Sequence, residues 1–117
     1  MNQLINVFKL LSDETRFRII LLLKDNQLCV CQITGILEIS QPKASKALSK
    51  LRDLNLVTDE RRDKFVYYTL NDDNPFIHYI LDFVIDHMRD YKQLALDKER
   101  LALKTSFLTN CSTTQIK

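Results

Sequence analysis

The sequence has 117 residues, 45% of them hydrophobic and 27% charged, with a formal net charge of +2 and a single glycine. This length fits one domain of about 100–150 residues, and a single glycine excludes a dinucleotide-binding fingerprint, a P-loop and a G-x-S-x-G nucleophile elbow. Three cysteines and two histidines cannot form a four-cysteine zinc site, and their order fits no zinc finger. Without a membrane-length apolar run or a secretory signal pattern, we expect a cytoplasmic protein with reduced thiols and no membrane partner.

Two helices are predicted in the first quarter of the chain. Apolar residues recur at helical spacing over residues 4–11, which predicts a short first helix. Ser12 or Asp13 then caps a second helix, because both side chains accept hydrogen bonds from backbone N–H groups and the apolar run FRIILLL follows. We expect this second helix to end near residues 24–26.

Two further helices follow in close succession. Residues 30–37 predict a helix of about two turns. Ser40 caps a fourth helix over residues 41–54, and Pro42 lies in its first turn, where a backbone N–H has no helical partner to lose. Asn55 suits the left-handed position that ends such a helix in place of glycine.

A β-hairpin and one long helix are predicted for the second half of the chain. Valine, threonine and aromatic residues flank a polar turn at residues 61–63, which is typical of a hairpin. Asn74 and Pro75 then start an amphipathic helix that ends between residues 95 and 107. A helix of about 25–30 residues spans roughly 40 Å, which is longer than the core is wide, so we expect a homodimer to cover its apolar stripe.

The predicted fold class is mainly α with a small β-hairpin, that is, a winged helix-turn-helix with a long C-terminal dimerisation helix. We expect residues 1–108 to form this domain and residues 109–117 to form a flexible tail. Residues 41–70 carry seven basic and four acidic side chains, whereas residues 71–100 carry four basic and seven acidic ones. A basic middle third in a helix-turn-helix predicts contacts with the phosphates of double-stranded DNA, with no nucleotide cofactor.

The fourth helix, SQPKASKALSKLR, divides into a core face and an outward face. A helix reads the major groove with its N-terminal residues, where Gln and Ser hydrogen-bond to bases and Lys neutralises phosphates. Three cations at the hairpin tip suit a wing that reaches the adjacent groove or backbone. The predicted core-facing residues are Ala44, Ala47, Leu48 and Leu51, and the predicted DNA contacts are Gln41, Lys43, Ser45, Lys46, Ser49 and Lys50 on the helix and Arg61, Arg62 and Lys64 on the hairpin.

These motifs resemble the ArsR/SmtB repressors over residues 4–72. The resemblance rests on the runs LSDETRFRIILLL, QLCVCQI and SQPKASKALSKLRDLNLV and on the hairpin ending FVYYTL. It implies a homodimeric winged-helix repressor that leaves its operator when a metal or metalloid binds. Ala47 stands where many members carry the histidine of an S-x-H-L stretch, which implies a different base preference. The positions that match the family's recognition helix are Ser40, Gln41, Ser45, Lys46 and Ser49.

Cys29-Val30-Cys31 resembles the C-V-C of arsenic-responsive members, in which two thiolates and a third cysteine bind As(III). The third position is Thr34 here, so the resemblance leaves Cys111 or an external thiol to complete the site. Thiolates favour soft ions, and the expected inducer is As(III) or Sb(III), with Cd(II) also soft. On a regular helix residues i and i+2 project about 200° apart, so chelation requires the first turn to unwind or the helix to begin later.

Two other functions compete with this prediction. The same cysteines suit a thiol-redox or persulfide sensor, in which Cys111 pairs with either of the others. A protein-interaction module with an incidental basic face is the second alternative, and it predicts no DNA affinity. No Asp-x-His zinc pattern occurs in the last helix, so His78 and His87 are interpreted as solvated. No nucleophile and base stand at an interpretable spacing, and we do not expect an enzyme.

Overall fold

The computed structural model describes residues 2–71, 73 and 75–104. Within these residues the chain forms six α-helices, a 3-10 turn and a three-stranded antiparallel sheet. None of the helices in these ranges combines the length and the apolar character of a membrane-spanning segment. In chain order the elements are α1 (Asn2–Leu11), α2 (Glu14–Leu23), β1 (Leu28–Cys29), α3 (Val30–Leu37), α4 (Gln41–Asp53), β2 (Val57–Arg62), β3 (Phe65–Leu70), α5 (Pro75–His87), the 3-10 turn (Met88–Asp90) and α6 (Lys92–Leu101).

The caps of α2 and α4 lie where the sequence predicts them. Asp13 Oδ2 accepts the backbone N–H of Arg16 at 3.0 Å, and Ser40 Oγ accepts the backbone N–H of Lys43 at 3.3 Å. Asn55 takes a left-handed φ of 59° just after α4. These local bonds satisfy N–H groups that a helix leaves unpaired at its start. The four predicted helices of the first half are therefore confirmed.

The predicted hairpin is also confirmed, with its turn shifted along the chain. β2 and β3 pair antiparallel along their whole length. The turn consists of Asp63 and Lys64, and Asp63 has a left-handed φ of 56°, which Asp tolerates better than most residues. Arg61 and Arg62, predicted within a turn at residues 61–63, lie instead in the last part of β2.

A third strand, β1, was not predicted. It pairs antiparallel with β3, so that Leu28 lies opposite Tyr68 and Cys29 lies opposite Tyr67. The strand order is β1-β3-β2, which places β3 in the centre of the sheet. Two residues are too few to show the alternation by which a strand is recognised in a sequence. The consequence is that Cys29 is bonded into the same sheet as the wing.

The prediction of a single long helix after Pro75 is wrong. α5 ends at His87, a 3-10 turn follows, and Tyr91 is extended (φ −120°, ψ 109°) before α6 begins. α6 then packs against α2 and α3. The dimer prediction from helix length loses its basis, because none of the helices within the described residues is about 40 Å long. The predicted cap Asn74 and the predicted tail, 109–117, lie outside the described residues.

A buried ion pair explains the break between α5 and α6. Arg18 of α2 donates to both carboxylate oxygens of Asp97 in α6, at 2.8 and 2.9 Å, and both side chains are buried. The same guanidinium donates to the carbonyl of Leu37 at 3.2 Å, and Gln93 donates to Asp97 at 2.9 Å. The hydrogen bond to Asp97 raises the pKa of Arg18. Because a buried charge without its partner is costly, the pair favours a chain that turns and docks α6 on α2.

The core holds the helix-turn-helix and the wing in a fixed relation. Residues Ile19 to Leu23 of α2 are all buried, and α3, α4 and α6 pack on this helix. Ile77 and Leu81 bring α5 into the same apolar cluster. α4 contacts β2, and α2 contacts β3. Burial of apolar surface therefore positions α4 and the hairpin together.

Candidate nucleic-acid interface and cysteine pair

α4 presents one buried face and one exposed face, as predicted. The buried residues Ala44, Ala47, Leu48 and Leu51 recur every three or four positions, which is the period of a helix. Pro42 stands in the first turn of α4. On the other side, Ser45 is half-buried and the predicted contacts Ser40, Gln41, Lys43, Lys46, Ser49 and Lys50 are exposed.

A basic groove of about 340 Å³ runs between the start of α2 and the exposed face of α4. Its cations are Arg16, Lys43, Lys46 and Lys50, and Thr15 also lines it. Arg16 Nε donates to the carbonyl of Leu10 at 3.1 Å, which fixes the guanidinium at this place. Arg16 is absent from the DNA contacts predicted from the sequence. The sequence feature that points to Arg16 is a cation in the first turn of a helix, where the helix dipole disfavours positive charge.

Two of the three cations of the wing lie over aromatic rings. Arg61, Arg62 and Lys64 are all exposed. Arg62 lies 5.6 Å from the ring centroid of Tyr67, and Lys64 lies 5.8 Å from that of Phe65. These distances are within the range of cation–π attraction. The half-buried aromatic side chains thus hold the cations at the tip of the hairpin.

One exposed ion pair joins the wing to α4, and a second lies within the wing. Arg52 Nη1 at the end of α4 lies 3.0 Å from Asp59 Oδ2 in β2. Arg62 Nη2 lies 3.0 Å from Glu60 Oε1 within the same strand. Exposed pairs of this kind contribute little to stability, because solvent screens the two charges. They orient the hairpin more than they stabilise it.

Cys29 and Cys31 lie at the junction of β1 and α3. Cys29 is the last residue of β1 and the N-cap of α3, with extended φ and ψ of −89° and 167°, and it is fully buried. Cys31 is the second residue of α3 and is half-buried. Cys29 thus directly precedes α3 and Cys31 lies in its first turn, in agreement with the helix predicted over residues 30–37. Of the two conditions for chelation, the structure meets the second: the helix begins after Cys29.

The thiol of Cys29 is subject to two opposing effects. Burial raises its pKa, while hydrogen bonds from the backbone N–H groups of Gln32 and Cys31 act in the opposite direction. Desolvation is the larger effect, so the pKa of Cys29 lies above its ordinary value. Cys29 is therefore a protonated, buried thiol at neutral pH.

The third ligand of the cysteine site is not found among the described residues. Cys31 is disulfide-bonded in the structure, so any metalloid site belongs to the reduced chain. Thr34 donates its hydroxyl to the carbonyl of Cys31 at 3.0 Å. Within the described ranges no group of three or more His, Cys, Asp or Glu side chains could hold a metal. Cys111, the predicted third ligand, lies outside those ranges.

His78 and His87 differ from one another. His87 is exposed and stacks on Phe83 with ring centroids 4.4 Å apart, in agreement with a solvated side chain. His78 is half-buried, with its Nδ1 3.2 Å from Lys24 Nζ and its Nε2 3.4 Å from the carbonyl of Asn71. The interpretation of His78 as solvated is corrected by these contacts.

Comparisons with known proteins agree with this geometry. The family model described as "Bacterial regulatory protein, arsR family" matches residues 13–59. The chain is 41% identical over 98 residues to the Arsenic resistance transcriptional regulator ArsR1 of Pseudomonas putida, covering 82% of this chain and 75% of that protein. It is 46% identical over 68 residues to the Arsenical resistance operon repressor of Escherichia coli, covering 57% of this chain and 58% of that protein.

Solved structures share the fold. Reduced HlyU from Vibrio cholerae matches with a TM-score of 0.67 and 28% identity, over 77% of this chain and 90% of that chain. The AntR antimony-specific transcriptional repressor matches with a TM-score of 0.64 and 20% identity, over 79% of this chain and 82% of that chain. The predicted winged helix-turn-helix is confirmed. The chain belongs to the arsR family of bacterial regulatory proteins and is a winged-helix, DNA-binding transcription repressor.

Proposed function

We propose that the chain is a homodimeric repressor that binds operator DNA with α4 and the wing, and that As(III) or Sb(III) releases it by binding Cys29 and Cys31. The observation that carries this proposal is the place of the two cysteines, on either side of the first residue of α3, directly before α4. Thiol donors prefer soft ions. The arsenical-resistance names of the relatives support the choice of inducer.

In the proposed complex the N-terminal part of α4 enters the major groove. Side-chain amides and hydroxyls there contact base edges, and lysines contact phosphates on either side. The wing reaches the adjacent backbone with its three cations. The proposed base contacts are Ser40, Gln41, Ser45 and Ser49, and the proposed phosphate contacts are Lys43, Lys46, Lys50, Arg61, Arg62 and Lys64, to which the basic groove adds Arg16.

The substitutions Lys46→Ala and Arg16→Ala are expected to weaken DNA binding by a similar factor on operator and unrelated DNA. Each removes about one phosphate contact, so the slope of log K against log salt falls by about 0.9. Fluorescence anisotropy on promoter DNA at several salt concentrations measures this slope. Lys98→Ala, an exposed lysine of α6, is the control and keeps the wild-type slope. Unchanged slopes for Lys46→Ala and Arg16→Ala would remove both residues from the interface.

Cys29 offers a direct route from the inducer to the DNA-binding surface. Its backbone belongs to the sheet that carries the wing, through Tyr67, and it also caps α3. Its side chain is fully buried, whereas that of Cys31 is half-buried. One ion bound by both sulfurs therefore requires a rearrangement at Cys29. That rearrangement strains either the β1–β3 pairing or the start of α3. β3 belongs to the wing and α3 directly precedes α4, and the wing and α4 carry the proposed DNA contacts.

The raised pKa of Cys29 favours As(III) over Cd(II) as inducer. As(III) in water is the neutral hydroxide As(OH)₃, and each As–OH reacts with one thiol to give As–S and one water, with no net release of protons. Cd(II) must instead displace a proton from each thiol. A buried, protonated thiol is thus a poorer site for Cd(II) than for the metalloid.

Arsenite affinity of the reduced protein is expected to be nearly constant between pH 6 and 8. Cd(II) affinity is expected to rise by about 100-fold per pH unit, because two thiols lose protons. Near-ultraviolet absorption of the sulfur–metal bonds measures both. Cys111→Ser run in parallel tests the third ligand, since a lower arsenite affinity would assign Cys111 to the site. Steep pH dependence for arsenite would contradict a protonated Cys29 in the free protein.

The proposed dimer rests on exposed apolar side chains of α1 and α5. Phe8 and Phe76 form an edge-to-face pair with centroids 6.0 Å apart, and both remain about half exposed. Apolar patches of this kind commonly mark interfaces. Sedimentation of Phe83→Glu should give a monomer, with Leu96→Glu on α6 as the dimeric control; equal masses would refute this interface. The exposed apolar residues of the two helices are Leu4, Ile5, Phe8, Phe76, Tyr79 and Phe83.

A thiol-redox response is the second candidate function, favoured by the disulfide at Cys31. In this case oxidation alone changes DNA affinity, and arsenite has no effect on the reduced repressor. Anisotropy of the reduced and the mildly oxidised protein separates the two candidates, and mass spectrometry identifies any crosslink or persulfide. The protein-interaction alternative is contradicted by membership of a DNA-binding regulator family.

A further inference from the structure

The side chain of Gln32 bridges the cysteine pair and the C-terminal end of the described chain. It is 4% exposed, although an amide has no apolar reason to be buried. Its Oε1 accepts the backbone N–H of Cys29 at 3.0 Å, and its Nε2 donates to the carbonyl of Lys104 at 3.2 Å. One amide thus connects the start of α3 to Lys104, which lies 72 residues after Gln32 in the chain.

The Cys29 end of this bridge helps to hold the thiol in the core. Gln32 is the third residue of α3, and its side chain reaches back to the N-cap backbone as in a capping box. The backbone N–H of Gln32 also approaches the Cys29 sulfur. Residue 29 can therefore leave its buried position only if these bonds break.

The other end of the bridge holds the chain that follows α6 against α3. Arg100 of α6 donates to the carbonyls of Ile36 and Gly35 in the last turn of α3, at 2.6 and 2.5 Å. The Arg18–Asp97 pair adds a bond to Leu37. These contacts are all at the C-terminal end of α3. Among the described residues, Gln32 makes a contact of this kind at the end of α3 that carries the cysteines.

We propose that Gln32 is a positioning residue that couples the cysteine pair to the segment after α6, so that inducer binding at Cys29 releases this segment from α3. The inference rests on the proposed function. A single side chain cannot keep both bonds when residue 29 moves out of the core. The Lys104 bond then acts against inducer binding, and its removal makes the cysteine pair easier to occupy.

Two substitutions separate the two halves of the bridge. Gln32→Glu keeps an acceptor for the Cys29 N–H but loses the donor to Lys104, because an ionised carboxylate only accepts. Gln32→Met loses both bonds. Gln93→Met is the control, because it removes a hydrogen bond to Asp97 in α6 and leaves Cys29 untouched.

The test uses the reduced full chain and three readouts. Arsenite affinity, from sulfur–arsenic absorption, is expected to rise by about 3- to 10-fold in both Gln32 variants, because both lose the hydrogen bond to Lys104 that opposes inducer binding. Amide hydrogen exchange at residues 102–104, which follow α6, is expected to increase on arsenite binding in the wild type. In the Gln32 variants it is already fast and does not change further. Alkylation of Cys29 by iodoacetamide, which needs no metalloid, is expected to be fastest in Gln32→Met.

The outcomes distinguish this inference from the proposed function. If arsenite binds the wild type and exchange at residues 102–104 stays constant, or if Gln32→Glu and Gln93→Met bind arsenite alike, the coupling is refuted and the proposed function stands. If arsenite does not bind at all, the proposed function fails. In that case the alkylation rates test the role of Gln32. Equal rates in Gln32→Met and the wild type would show that Gln32 does not keep the Cys29 thiol buried. A purely structural role would lower stability without raising arsenite affinity.

Discussion

Cys29→Ser is expected to give a repressor that binds its operator normally and stays bound in the presence of arsenite. Serine keeps a side-chain acceptor at the N-cap of α3, so the helix start and the β1–β3 pairing survive. Its hydroxyl is a hard ligand that forms no sulfur–arsenic bond. In the wild type, arsenite should weaken operator binding by about 5- to 150-fold, the usual range of coupling between two sites. In Cys29→Ser this effect should fall to less than about twofold.

Anisotropy of labelled promoter DNA, with and without arsenite, measures both affinities for each variant. Thr34→Ser is a control at the position where related sites carry a third cysteine, and it should respond like the wild type. Cys29→Ser that still releases DNA on arsenite addition would exclude Cys29 from the sensor. Loss of DNA binding in the absence of arsenite would mean that residue 29 acts on the fold and not on the inducer.

Asp97→Ala is expected to destabilise the fold more than any exposed substitution. It leaves the guanidinium of Arg18 buried, with the carbonyl of Leu37 as a remaining acceptor. Breaking a buried pair in this way costs about 3–5 kcal/mol of unfolding free energy. Since whole domains are stable by about 5–15 kcal/mol, this is a large part of the total. Urea unfolding followed by circular dichroism provides the value.

Two comparisons identify the source of that loss. Arg18→Met combined with Asp97→Leu removes both charges and should recover much of the stability, because paired burial of charges is itself costly. Glu60→Ala breaks the exposed pair with Arg62 and should change stability by less than about 1 kcal/mol. A small effect of Asp97→Ala, similar to that of Glu60→Ala, would contradict the account of why the chain breaks after α5.

Elements that depend only on residues close in sequence could be predicted from the sequence. The caps at Asp13 and Ser40, the left-handed Asn55 and the β-hairpin are local features, and the structure confirms each. The break between α5 and α6 could not be predicted from the sequence, because the apolar period continues across it and no glycine or proline marks it. It depends on a contact between Arg18 and Asp97, 79 residues apart.

The candidate site shows the same division. The two faces of α4 follow from helical spacing, so its exposed residues were identified from the sequence. The role of Arg16 in the basic groove depends on how α2 crosses α4, and the bridge made by Gln32 depends on α6 folding back. The burial of Cys29 required β1, which is too short to leave a pattern.

The central claim is that metalloid binding at the cysteine pair releases the repressor from DNA. The most direct test is an arsenite titration of the preformed complex between the reduced wild-type protein and its own promoter DNA. Anisotropy and sulfur–arsenic absorption are recorded on the same sample. The account predicts that anisotropy falls to the value of unbound DNA over the range in which the absorption rises. Full occupancy of the thiols by arsenic with the anisotropy unchanged would contradict it.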